Sequence, residues 1–213
     1  MKKGILFFSF IAFALHSFSQ TPGIKWTNYY HSPTGNNLAE VFFDAKVTSK
    51  NDFILAGSDT SYPYNKGEFL KKYIQGRPWL VKTDKDGNVL WRISSLDVDP
   101  GTSSFTAEQI DGNGEITAVG YGSVNPQPDK FYIAKYDSDG IQLWHKSYGG
   151  VTGISRATCI QTTTDGGSIV GGITTSNDGD VSGNHGAGTE DVWILKLDVN
   201  GNIQWKKCYG GTG

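Results

Sequence analysis

Asp191 to Gly211 reads DVWILKLDVNGNIQWKKCYGG, and much of it stands twice earlier in the chain, as RPWLVKTDKDGNVLWRIS from Arg77 and DKFYIAKYDSDGIQLWHKSYGG from Asp129. Aligned on their final tryptophans, the copies place Trp79, Tyr132 and Trp193 twelve residues before Trp91, Trp144 and Trp205. Between them recur Lys82, Lys135 and Lys196, then Asp84, Asp137 and Asp198, then Gly87, Gly140 and Gly201. The tryptophan-to-tryptophan periods are 53 and 61 residues, and GIKWTNYY supplies Trp26 as a detached copy of the last segment, 65 residues before Trp91. A second motif precedes each copy: AKVTSKNDFILAGSDTS from Ala45, AEQIDGNGEITAVGYGS from Ala107 and ATCIQTTTDGGSIVGGITTS from Ala157.

Period-two alternation and turn chemistry divide each repeat into four short strands. In the third they are ATCIQTT, SIVGGITT, DVWILKLD and IQWKKCY. The hairpin turns are KND, GNG and DGG between the first two strands, and DKDGN, DSDGI and DVNGN between the last two. Glycine supplies the positive φ of a tight turn, and Asp or Asn hydrogen-bonds its own backbone nearby. The predicted unit is a four-stranded antiparallel meander. It has two apolar faces to bury and must stack on its neighbours.

The expected fold class is therefore all-β, with β-propeller-type four-stranded antiparallel blades. The segments are a leader over 1–19, a leading strand over 20–38, and repeats over 39–104, 105–153 and 154–213. Three blades and a leading strand make an incomplete ring, since closed rings usually need 4 to 8, which implies a chain that continues beyond Gly213. An open β-solenoid or a sandwich is the alternative. The aromatic of each third strand and the tryptophan of each fourth would fill the layers between blades, with Gly57, Gly120 and Gly172 nearer the axis.

The N-terminus, MKKGILFFSFIAFALHSFSQ, joins two lysines to an apolar run from Ile5 to Leu15 and small residues at Ser17 and Ser19. That is the pattern of a secretory signal peptide cleaved near Ser19, too short to span a bilayer, which takes about 20 apolar residues. The expected location is secreted or on the outer cell surface. Without Lys2 and Lys3, 17 basic side chains face 21 acidic ones, and no basic patch appears, which speaks against a nucleic-acid partner. Cys159 and Cys208 fall in the first and last strands of one unit, three strand spacings or roughly 14 Å apart; a disulfide tolerates about 7 Å.

At these residues the chain resembles the exported propeller-repeat proteins of Bacteroidetes, closely over 154–213 and more loosely over 39–149. The resemblance implies a large, surface-displayed or secreted protein of the type IX secretion route, with an activity mostly unassigned. Through Asp84, Gly87 and Trp91 and their copies the chain is also similar to quinoprotein-like propellers. There the tryptophan docks one blade on the next; the quinone-binding residues have no counterpart that can be located here.

The most specific candidate site is SNDGDVSGNHGAGTED, Ser176 to Asp191. Asp178, Asp180 and Ser182 alternate before Gly183 as in a calcium loop, and the carbonyl of Asn184 would add a fourth ligand. Position twelve is Thr189, and Glu190 comes one residue late, so a solvated Gly/Asp loop is the competing reading. The repeated Asp-x-Asp-Gly turns read as turn formers, and Lys82, Lys135 and Lys196 as lysines snorkelling near each blade's Asp.

No H-E-x-x-H, G-x-S-x-G, P-loop or C-x-x-C occurs, and no catalytic or cofactor residue is assigned beyond the calcium candidate. The connection from Thr60 to Arg77 carries Tyr62, Tyr64, Phe69 and Tyr73 among lysines. Tyr62, Tyr64 and Tyr73 are candidate contacts for a glycan or a surface protein; a loop packed on its own blade is the alternative. The expected function is a non-enzymatic binding, adhesion or display module. Part of a polysaccharide-degrading enzyme, with an active site completed by residues outside these 213, is the alternative.

Overall fold

A computed structural model describes residues 41–59, 76–94, 103–123, 128–186 and 188–211. The signal segment, Trp26 and the tyrosines of the 60–75 connection lie outside them. Among the described residues the chain is all-β, with twelve strands and no helix. It follows that no helix there is long and apolar enough to cross a membrane.

The strands form three antiparallel sheets of four, each a meander in chain order. The first holds β1 (Val41–Val47), β2 (Phe53–Asp59), β3 (Arg77–Thr83) and β4 (Val89–Ser94). The second holds β5 (Ser104–Ile110), β6 (Ile116–Gly122), β7 (Lys130–Tyr136) and β8 (Gln142–Tyr148). The third holds β9 (Ser155–Thr162), β10 (Ser168–Thr174), β11 (Asp191–Leu197) and β12 (Ile203–Tyr209). Cys159 and Cys208 lie on the two edge strands of the third sheet and both are free thiols.

All six hairpins close the same way. In each, the first turn residue donates its N–H to the fifth residue's carbonyl, and the fourth donates to the first's carbonyl, as in Asp198 N to Asn202 O at 2.9 Å and Gly201 N to Asp198 O at 3.0 Å. The fourth residue is left-handed in every turn, at φ 85° for Gly140 and 74° for Gly201. Asn51 holds that place in the β1–β2 turn at φ 62°, the one non-glycine among the described residues with positive φ. This is the three-residue hairpin, a type I turn followed by a left-handed residue.

Each first strand carries a bulge that alternation alone does not reveal. Phe43, Thr106 and Thr158 are skipped in the pairing of β1 with β2, β5 with β6 and β9 with β10. Opposite the bulges stand Gly57, Gly120 and Gly172, where a Cβ would come within 1.9, 1.8 and 2.0 Å of the carbonyls of Val41, Ser104 and Arg156. These glycines are small because a backbone carbonyl fills the side-chain position. The bulges also correct the alignment of the leading motif: Ala45, Ala107 and Ala157 pair with Leu55, Val119 and Gly172, and are not equivalent. The equivalent residues are Phe42, Phe105 and Ala157.

Neighbouring sheets meet face to face through two cores. Ile54, Ala56 and Leu80 of the first sheet pack on Phe105, Ala118, Tyr132 and Tyr136 of the second. Phe131 and Ile133, on the second sheet's other face, pack with Trp193, Leu195 and Val170 of the third. Trp193 is fully buried with its ring 4.7 Å from that of Phe131. Burying a side chain such as Phe131 contributes roughly 1.5–3 kcal/mol. The third-strand aromatics Tyr132 and Trp193 thus face the preceding sheet and the fourth-strand tryptophans the following one: Trp91 packs on the first core and Trp144 on the second. Trp205 is 43% exposed.

Candidate functional site

The repeated polar residues are structural. Asp84, Asp137 and Asp198 each accept two backbone N–H bonds within their own turn, such as 2.9 Å from Asn200 and 2.7 Å from Asn202 to Asp198 Oδ1. Those bonds, with the Asn88 and Asn202 amides, hold the Asp84 and Asp198 carboxyls below the usual carboxylate range. Lys135 and Lys196 are nearly buried. Their partners are acids of the first hairpin in the same sheet: Lys135 Nζ lies 2.6 Å from Glu115, and Lys196 Nζ 2.9 Å from Asp165. Hydrogen bonds from Lys196 and Thr163 lower the Asp165 pKa. Lys82 Nζ lies 3.8 Å from Asp52 of its own first hairpin and also reaches across to the Ser138 carbonyl at 3.0 Å.

The loop from Ser176 to Asp191 is held against the β8–β9 connection. Asp178 accepts bonds from Val151 N at 2.7 Å, from Thr152 N and from Thr152 Oγ1 at 2.8 Å, which lower its pKa. Asp180 accepts from Gly149 N at 3.1 Å. Val181, which follows Asp180, is buried in the second core and anchors the loop. Asn184 donates its amide to Thr174 O and Thr189 O while its side-chain oxygen accepts from Gly186 N. Ser182 is exposed. Asp178 and Asp180 are therefore brought together on one backbone segment, while the Asn184 side chain is committed to Thr174, Thr189 and Gly186, apart from the backbone carbonyl that the calcium reading uses. No group of three or more His, Cys, Asp or Glu side chains among the described residues is arranged to hold a metal.

The same loop holds a pair that the sequence reading passed over. His185 Nδ1 lies 2.7 Å from Asp191 Oδ2, which also accepts the His185 backbone N–H at 3.0 Å. Asp191 is buried, and the His185 hydrogen bond holds its carboxyl below the usual range. A spacing of six residues is no catalytic signature, and the contact closes the loop onto the start of β11.

A second unforeseen feature is Glu108 on β5. It is 0% exposed, and neither carboxyl oxygen has a hydrogen-bond partner among the described residues. Its backbone N–H donates to Asp44 Oδ2 at 3.3 Å, and Asp44 in turn holds Lys46 at 2.6 Å. Burial first, then the Asp44 charge, pushes the Glu108 pKa up to about 8. The bulge at Thr106 turns Glu108 onto the Phe105 face, toward the first sheet. Closed off from solvent, Glu108 offers no surface to a substrate.

Among the described residues, a polar groove of about 270 Å³ opens where the β5–β6 turn meets the β9–β10 turn. Asp111, Asn113 and Lys135 line it from the second sheet, and Thr162, Thr163 and Thr164 from the third. Asp111 is oriented by bonds to Asn113 N and Glu115 N, and Lys135 by its pair with Glu115. Hydroxyls, an amide and a neutralised lysine suit a ligand rich in hydroxyl groups. Only the threonine run signals it in sequence, because the other wall comes from a different repeat. No protein-family model matches the chain, and no curated protein is significantly similar to it.

Proposed function

We propose that the chain is an exported, non-catalytic repeat scaffold of the β-propeller type. It binds a hydroxyl-rich ligand of the glycan class at the cell surface, in the groove between the β5–β6 and β9–β10 turns. The observation that carries this reading is the contrast between parts. The tryptophans, turn aspartates and lysines that recur serve folding and docking, while the groove sets one of those lysines, Lys135, among turn residues that differ between repeats, Asp111, Asn113 and Thr162 to Thr164. Propeller geometry is supported by the stacking of successive meanders through opposite faces, and export by the Met1–Gln20 pattern together with the resemblance to Bacteroidetes surface repeats. Calcium at Asp178, Asp180, Ser182 and Asn184, and contacts through Tyr62, Tyr64 and Tyr73, belong to the same proposal as secondary sites.

The test is retention of the full chain on a panel of immobilised bacterial and plant polysaccharides, beside an Asn113→Trp variant that fills the groove. The reading expects at least one polysaccharide to retain the chain and the variant to lose at least tenfold in affinity. Retention unchanged by the variant, or none across the panel, overturns it.

A further inference from the structure

The second and third sheets meet through a defined set of contacts. Trp144 covers Gly201, where a Cβ would lie 2.9 Å from Trp144 Cη2. Lys146 Nζ donates to Asn200 O at 2.8 Å and to Asn202 Oδ1 at 2.9 Å, and the Tyr148 hydroxyl donates to Gly201 O. The Asn202 amide nitrogen is tied to Asp198 Oδ2 at 2.9 Å, which fixes its oxygen toward the lysine. A W-x-K-x-Y strand thus grips a D-x-x-G-N turn.

The first and second sheets meet differently. Trp91 Nε1 and Lys82 Nζ both reach Ser138 O, at 3.3 and 3.0 Å, and Ile93 packs over Gly140, where a Cβ would lie 3.0 Å from Ile93 Cδ1. That turn is Asp137-Ser138-Asp139-Gly140-Ile141, with no asparagine to meet a lysine. Two pairings therefore occur in one chain: a W-x-I strand with a D-x-x-G-I turn, and a W-x-K-x-Y strand with a D-x-x-G-N turn.

β12 carries the second kind of strand as Trp205, Lys207 and Tyr209, all exposed, with Tyr209 at 50% where its counterpart Tyr148 is at 6%. We propose that this face of β12 is the docking surface for another four-stranded unit of the same repeat, which enters through a D-x-x-G-N turn. Trp205 covers the incoming glycine, Lys207 takes the carbonyl of the turn's third residue and the asparagine oxygen, and Tyr209 takes the glycine carbonyl. Lys207 and Tyr209 set which turn is accepted, because an isoleucine at the fifth turn position leaves the ammonium without its oxygen and costs affinity. This inference is independent of what the polar groove binds.

The experiment appends a duplicate of residues 154–211 to the full chain, and compares urea midpoints with and without Lys207→Ala and Tyr209→Phe in the original third repeat. In the parent chain the double variant is expected to move the midpoint by less than 0.2 M, on the order of a surface change. In the extended chain it is expected to lower the midpoint several times further, and changing the fifth residue of the appended turn from asparagine to isoleucine removes most of that difference. Equal effects in parent and extended chain overturn the proposal, as does a parent that is itself sensitive and self-associates, which would make a second copy the occupant. Should the extended chain not fold, a cyclised hairpin of residues 191–209 is titrated into the labelled parent. Saturable shifts at Trp205, Lys207 and Tyr209, abolished by Gly201→Val in the hairpin, uphold the proposal; no shifts, or shifts insensitive to that change, overturn it.

Discussion

Trp144 lies against Gly201, and the two are placed so that neither position tolerates the other's growth: a Cβ on the glycine would be 2.9 Å from the indole and 3.1 Å from the Tyr148 hydroxyl. Gly201 is also left-handed, at φ 74°. Gly201→Val is expected to destabilise the fold by about 2–4 kcal/mol, from backbone strain and overpacking together. Because Trp144→Ala removes the same contact, the double variant should be less destabilised than the sum of the singles. Urea denaturation of the four proteins of that cycle measures it.

Glu108 makes stability depend on pH in a stated direction. Its pKa is raised to about 8 in the folded chain from the ordinary value of 4.5, so between those values the folded state keeps a proton that the unfolded state has lost. The favourable contribution is complete below about pH 4.5 and is lost as pH rises toward 8, by at most roughly 1.4 kcal/mol per pH unit. Glu108→Gln should flatten that slope and leave a protein more stable than the parent at pH 8, with the two converging at acid pH. Thermal midpoints across pH 5 to 9 check both parts. Asp44 and Lys46 are the charged neighbours that modulate the shift.

The ladder Trp91, Trp144, Trp205 was legible from sequence because a fixed spacing of turn glycine and tryptophan repeats a fixed contact. Strand order, the hairpins and the free state of Cys159 and Cys208 followed from the same spacing. The bulges at Phe43, Thr106 and Thr158 were not legible, since one skipped residue reverses which face the next side chain takes. That is why Glu108 falls on the Phe105 face, where strict alternation would set it on the opposite one, and why the alanines at 45, 107 and 157 align by identity but not by position. The groove was hidden for another reason: its walls come from Asp111–Asn113 and Thr162–Thr164, about fifty residues apart, and only docking of the sheets joins them.

Asn51 occupies the left-handed place that glycine fills in the five other hairpins. Asn51→Gly is expected to stabilise the chain by roughly 0.5–1 kcal/mol, because glycine adopts that conformation without a Cβ penalty. A gain in the urea midpoint with unchanged m-value shows it.

Asp178 holds the 149–153 segment through backbone donors at Val151 and Thr152. Asp178→Asn should raise amide exchange at those two residues at least tenfold and leave β10 and β11 protected. A calcium ion taking Asp178 would compete for the same oxygens. Exchange of the parent in millimolar calcium therefore tests the proposed site: calcium there is expected to raise exchange at Val151, and unchanged exchange speaks against it.

The most direct test of the account is a map of amide shifts in the full chain as an oligosaccharide from a retained polysaccharide is titrated in. The account predicts saturable shifts concentrated at Asn113, Thr163 and Thr164, with the tryptophan-docking turns at Ser138 and Asn200 unmoved. Binding that shifts the docking turns and spares the groove, or an oligosaccharide that shifts neither, would contradict it.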